Sequence, residues 1–147
     1  MRKDRGKRMA VVKLSRVIEK MKLENLTPEI ELKGIKIIQP DINRPGIQLT
    51  GYFEHFEATR LQVIGFVEYT YMQGMSQEEK TEIYTKLLSY DIPAIIFCRE
   101  LQPDEYFKQL AIENHVPLLM TQKGTSVFMA EIIRWLNVKL APCISVH

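Results

Sequence analysis

The chain has 147 residues, 46% of them apolar, with 20 basic and 18 acidic side chains for a formal charge of +2. That length suits a single domain burying about 70% of its unfolded surface. No apolar run approaches the ~20 residues that span a bilayer, and no signal-peptide pattern is visible, so the expectation is a cytoplasmic protein without membrane contact. Cys98 and Cys143 are too few for a disulfide framework, and neither has a Cys or His at metal-ligand spacing.

The charge is unevenly spread. "MRKDRGKR" (residues 1–8) carries five bases and one acid, leaving 15 bases and 17 acids elsewhere. The arm lacks the interleaved aromatics of a nucleic-acid binder and reads as a disordered basic extension ahead of a second possible start at Met9.

From there the period alternates. Leu14, Val17, Ile18 and Met21 share one helical face, predicting an amphipathic helix over 13–23. "IKIIQP" is a short strand stopped by Pro40, and "DINRPG" makes a turn, after which Pro45 and Gly46 open a short helix before Gly51. "RLQVIGF" (60–66) is a second strand. In "MSQEEKTEIYTKLLSYD" Ser76 stands three residues before Glu79, the capping-box spacing, with Ile83, Leu87 and Leu88 on one face. "IPAIIFC" (92–98) is a continuous apolar run, as expected of a strand buried on both sides. "PDEYFKQLAIENH" is a helix with Pro103 near its first turn, and "VPLLMT" is another apolar strand. "GTSVFMAEIIRWLNVKLA" is a final helix capped by Thr125 or Ser126, with Phe128, Ile132, Trp135 and Leu136 facing inward. Strands alternating with helices over short connections predict an α/β fold, a small βαβ-type domain with a mostly parallel sheet. It occupies residues 9–141. Residues 142–147 read as a linker and the start of a strand, "CISVH", whose partners lie outside the chain.

Chemistry is sparse. His115 ends a helix, where its charge would suit the dipole. His55, between Glu54 and Glu57, is a candidate general base or metal ligand without a second histidine nearby. No nucleotide-binding Gly-rich motif is present. The nearest phosphate-binding turn is "QKGTS" (122–126), offering Lys123, Gly124 and Thr125 after a parallel strand, at the edge where α/β sheets bind ligands. One Gly is a weak signal, and ordinary helix capping is the preferred reading of this turn.

"DINRPGIQLTGYF" (41–53) spends Asp41, Asn43, Arg44, Pro45, Gly46 and Gly51 on one connection, more than turn chemistry requires. At these residues the chain resembles the N-terminal domain of bacterial HPr kinase/phosphorylase. The likeness continues through "TRLQVIG", "PAIIF", "VPLL" and "LAPCISVH", and so over residues 13–147. By this resemblance the fold is that of the small domain opening some Mur ligases. The parent is a bifunctional enzyme that uses ATP or pyrophosphate with Mg²⁺ to phosphorylate a serine of HPr, removes that phosphate by phosphorolysis, and controls carbon catabolite repression through the phosphotransferase system. The implied partners are HPr, the chain's own catalytic domain and further copies in a full-length homo-oligomer. His147 alone maps onto a residue with a catalytic role in the family. Without the Gly and the P-loop that should follow, it is idle here. The expectation is thus a non-catalytic regulatory or assembly domain, inactive alone and needing no cofactor of its own. The alternatives are a free-standing α/β ligand-binding module built on Arg44, Lys123 and the "GTS" turn, and an enzyme using His55 with Glu54 or Glu57.

Overall fold

A computed structural model describes residues 7–8, 10–141 and 143–144. The elements in chain order are β1 (Lys7–Arg8), β2 (Val12–Lys13), α1 (Leu14–Met21), β3 (Glu24–Asn25), β4 (Lys36–Ile37), β5 (Ile42–Asn43), α2 (Gly46–Leu49) and β6 (Leu61–Ile64). There follow α3 (Phe66–Gln73), α4 (Gln77–Leu88), β7 (Ile95–Phe97), α5 (Glu105–Glu113), β8 (Leu118–Met120), α6 (Thr125–Lys139) and β9 (Cys143–Ile144).

The main sheet has five strands in the order β3-β8-β7-β6-β5, with β5 to β8 parallel and β3 antiparallel to β8. Its central strands are continuous apolar runs because both faces are covered, and period two sorts their side chains between two cores. Ile64, Ile95, Phe97, Leu118 and Met120 join Met72 of α3, Tyr84 and Leu87 of α4 and Phe107 of α5. Leu61, Val63, Ile96 and Leu119 point the other way, onto Leu14 and Val17 of α1 and Phe128, Ile132 and Leu136 of α6. The architecture is a three-layer α/β/α domain, as the alternating pattern predicts.

Local chemistry fixes the ends of the elements. Ser76 caps α4 as predicted: its Oγ accepts from Glu79 N at 3.1 Å while Glu79 Oε1 accepts from Ser76 N at 2.8 Å. Asp104 caps α5, its Oδ1 accepting from Phe107 N at 2.7 Å. Gly51 ends the α2 turn at φ +102°, a conformation that strains any residue with a Cβ.

Several expectations need correcting. The strand predicted over 60–66 ends at Ile64, and Phe66 already begins α3, a helix the pattern did not reveal. Its sequence FVEYTYMQ is rich in β-branched and aromatic residues, which blurs the helical period. Ile42–Asn43, read as part of a turn, forms the edge strand β5. The cap of α6 is neither Thr125 nor Ser126: Gly124 holds that position without a side-chain bond, and Thr125 is the first helical residue. Trp135 is only half-buried, beside the core rather than in it. The two-residue strands β2 and β3 were below what periodicity can register. Residues 1–6 of the basic arm, and His147, lie outside the described residues. Lys7–Arg8 pair antiparallel with Cys143–Ile144, so the "CISVH" strand meets a partner inside the chain where none was expected.

Candidate functional site

The C-terminal ends of β5 to β8 carry one polar cluster, because each parallel strand delivers its next residues to the same edge. Arg44 follows β5, Gly65 and Glu68 follow β6, Cys98 follows β7, and Thr125 opens α6 after β8. Arg44 Nη2 donates to Glu68 Oε1 at 2.8 Å, and the Gly65 backbone N–H donates to the same oxygen at 2.8 Å. Glu68 is only 8% exposed, while Arg44 is 38% exposed. The carboxylate thus sits in the first turn of α3, where the helix dipole favours it. A Cβ on Gly65 would stand 2.6 Å from Thr125 Oγ1 and 2.7 Å from Arg44 Nη2, so only glycine admits both side chains to that spot. Arg44 and Thr125, two of the residues named for a ligand-binding module, therefore lie close together.

Lys123 does not join them. Its ammonium turns to Glu131 Oε1 at 2.5 Å, on the outer face of α6, while its N–H donates to Thr121 Oγ1 at 3.2 Å. Beside it lies an open hollow of about 570 Å³ lined by residues including Lys20, Lys22, Glu24 and Met120. Gly124 caps α6, its carbonyl accepting from Phe128 N at 2.9 Å.

The Asp41–Gly51 motif serves the backbone. Asn43 Nδ2 donates to Gln62 Oε1 at 2.6 Å, and Gln62, fully buried in β6, donates to the carbonyls of Glu57 and Arg60 at 3.0 and 2.9 Å. This pins the edge strand to its neighbour. Asp41 is exposed and lies 3.8 Å from Arg60, a loose pairing of small energetic value. Pro45 precedes α2, its carbonyl accepting from Leu49 N at 3.0 Å. Gly46 opens α2 against Glu68: a Cβ there would lie 3.9 Å from Glu68 Cγ and Oε2, ordinary contact distance.

Next to the cluster, Arg99 and Glu100 take consecutive left-handed conformations at φ 60° and 58°. Their N–H groups donate to the carbonyls of Lys123 and Thr121 at 2.9 and 3.0 Å, tying the loops after β7 and β8 together. The Arg99 guanidinium lies 5.7 Å from the centroid of the exposed Phe66 ring. Burial pushes the Cys98 thiol above its ordinary value, while a hydrogen bond with Thr125 and the Arg44 charge pull it back in part. A buried neutral thiol is a poor nucleophile. In a Cys143→Ser background, Cys98 should alkylate about 100-fold or more slower in the folded protein than in denaturant, followed by mass spectrometry with iodoacetamide. Comparable rates would place the thiol at the surface.

His55 and His115 are both exposed, at φ 63° and 60°. Among the described residues, no three His, Cys, Asp or Glu side chains gather to hold a metal ion. No helix among them is long and apolar enough to cross a membrane. Sequence reasoning missed Gly65, Glu68 and Cys98. The signal for the first two was there: G-F-V-E carries capping-box spacing directly after a strand.

The chain is similar to known proteins in fold and in sequence. A solved structure is similar to this chain at TM-score 0.57 and 12% identity, covering 88% of this chain and 50% of its counterpart. That counterpart is a crystal structure of the CBS and DRTGG domains of the regulatory region of Clostridium perfringens pyrophosphatase complexed with activator, diadenosine tetraphosphate, and the likeness is one of fold. HPr kinase/phosphorylase of Lachnoclostridium phytofermentans is 52% identical over 139 residues, covering 95% of this chain and 45% of the relative. That of Shouchella clausii is 37% identical over 141 residues, covering 95% and 44%. The chain thus spans about half the length of the curated relatives it matches. A family model described as HPr Serine kinase N terminus matches residues 12–136, and the chain belongs to that family.

Proposed function

We propose that this chain is the non-catalytic N-terminal domain of a bifunctional HPr serine kinase/phosphorylase, acting in regulation or assembly of the whole enzyme. The carrying observation is the family match over residues 12–136, joined to relatives of which the chain spans only 45%. On this reading ATP or pyrophosphate with Mg²⁺, the HPr substrate, the role in carbon catabolite repression, the cytoplasmic location and the homo-oligomer belong to the full-length protein. Phosphoryl transfer demands cations and N–H donors held around the transferring phosphate. In the Arg44–Glu68–Thr125 cluster Arg44 Nη2 and the Gly65 N–H are instead committed to Glu68 Oε1, which supports a structural role for the conspicuous Asp41–Gly51 motif.

The test deletes this domain from the full-length enzyme and follows serine phosphorylation of HPr, its phosphorolysis and the state of assembly. Loss of regulation or assembly, with chemistry retained by the remaining half, is the expected result. If both reactions, their control and the assembly are unchanged, the proposal fails. A ligand-binding module is the second reading, favoured by the meeting of Arg44 and Thr125 and by a fold shared with a regulatory region crystallised with diadenosine tetraphosphate. Calorimetry of the chain with Mg-ATP, pyrophosphate and diadenosine tetraphosphate decides it: micromolar binding of any of them supports this reading, and silence supports the first.

A further inference from the structure

The end of α1 and the turn after β8 enclose a basic hollow whose charge is not neutralised. Two segments build it, residues 20–24 and 120–123, held side by side where Glu24 pairs with Met120. Its volume of about 570 Å³ is in the range of sites that take small organic molecules. The buried Met21, Leu23 and Met120 form its floor, and the exposed Lys20, Lys22 and Lys123 stand round its rim.

The charge there departs from that of the body around it. Beyond the first eight residues the chain holds 15 bases and 17 acids, yet three bases and one acid line this hollow. That acid, Glu24, pairs with none of the lysines, and among the described residues neither Lys20 nor Lys22 has an ion pair. Lys123 alone is engaged, by Glu131. The backbone N–H of Gln122, also in the lining, has no acceptor among the described residues. Lys22 is held against its backbone preference: it ends α1 at φ 55° and ψ 50°, left-handed geometry in which glycine is the usual residue. Positive charge at a helix end suits the dipole, but that does not account for a lysine in this conformation.

We propose that this hollow binds a small organic polyanion, a molecule carrying two or more separated phosphate or carboxylate groups. Ammonium groups are point charges without the planar fork of arginine, so they take either group from several directions. Three of them spread over one rim suit charges spaced along a ligand better than a single ion. The site stands apart from the Arg44–Glu68–Thr125 cluster and gives the regulatory reading above a place for an effector. It deepens that reading, and because its test reads only the hollow, either can fail without the other. Exposed charges bind weakly in water and are screened by salt, so the affinity is sub-millimolar at low ionic strength and falls as salt is added.

Titration of the isotope-labelled chain with tripolyphosphate and, separately, with citrate tests this, followed by amide chemical shifts at low salt. The expected result is saturable shifts with at least one probe, concentrated in residues 20–24 and 120–123. Whichever probe saturates names the anionic group. Lys20→Gln should weaken binding roughly 3-fold, and Lys20→Gln with Lys22→Gln roughly 10-fold. Lys33→Gln, at an exposed position outside the hollow, should leave it unchanged. Lys22→Gly separates binding from folding: glycine relaxes the backbone, so the domain should melt no lower while binding still falls roughly 3-fold. Shifts that never saturate, that follow every surface lysine alike, or that ignore Lys20 and Lys22 overturn the proposal. So does saturation centred on Arg44 and Thr125, which would move the ligand to the cluster.

Discussion

Arg44→Ala should lower the domain's stability by about 2 kcal/mol, a fall in melting temperature of roughly 4–8 °C for a chain of this size. Glu68 is almost wholly buried and has two donors on one oxygen, the Arg44 guanidinium and the Gly65 N–H. Removing the guanidinium leaves a buried carboxylate with a single backbone donor and the dipole of α3. Breaking a fully buried pair costs more, but Arg44 is over a third exposed, and water takes up part of the loss. Arg44→Lys should recover only a fraction, since an ammonium lacks the planar fork. Pairing Arg44→Ala with Glu68→Gln should cost less than the two single changes together, because the stranded charge is gone. Thermal denaturation of the four variants reads all of this. An unchanged melting point for Arg44→Ala would mean the cluster contributes nothing to stability and that Arg44 is kept for an external contact.

A loss of similar or greater size is expected for Asp104→Ala, at about 2–4 kcal/mol. One carboxylate does two jobs there. Its Oδ1 caps α5 through Phe107 N, and its Oδ2 accepts from the Tyr84 hydroxyl at 2.9 Å, with Lys80 Nζ 3.7 Å away. Tyr84 is fully buried against Phe107, so losing Asp104 orphans a phenol in the core. Adding Tyr84→Phe to Asp104→Ala should therefore restore stability rather than lower it further.

The same phenol should make stability depend on pH in the alkaline range. Burial, followed by the Asp104 charge and hydrogen bond, pushes Tyr84 well above the ordinary tyrosine value of about 10. Below pH ~10 folded and unfolded states both hold the proton, and the phenol's contribution to stability is constant. Above it the unfolded chain ionises first and binds fewer protons, so stability falls as pH rises. Tyr84→Phe should flatten that part of the slope in chemical denaturation at pH ~9 to ~11. An identical slope in both proteins would show that the phenol titrates normally.

The layers and the parallel strands were legible because β7 and β8 are unbroken apolar runs between amphipathic helices, a pattern with few alternatives. Ser76 and Glu79 announced their capping box, and the Asp41–Gly51 motif announced the family. What escaped shares a physical origin. In α3 the residues Phe66, Val67 and Tyr71 are exposed, so burial does not follow the helical period and composition points toward strand. The strands β2, β3 and β5 have two residues each, too short for alternation to appear. The cluster itself joins Arg44, Glu68, Cys98 and Thr125 through strand pairing across the sheet, and no linear spacing encodes that. Lys123 shows the converse: it stands two residues from Thr125 in sequence, yet its ammonium turns away to Glu131.

The antiparallel strand β3 has a consequence for how the protein is born. Glu24 pairs with Met120, and Leu118 N donates to Thr27 Oγ1 at 3.0 Å across 91 residues of sequence. A ribosome delivers the N-terminal segment early, but its place in the sheet does not exist until β8 has emerged. Meanwhile β5, β6 and β7 can assemble in order, each beside its predecessor. The face awaiting α6 stays uncovered until the residues of that helix have emerged, with Leu61, Val63 and Ile96 open to any apolar surface nearby. Nascent chains halted before Met120 should be protease-sensitive and prone to chaperone capture, whereas those extended past Lys139 should close cooperatively, with the first helix and the last locking down together.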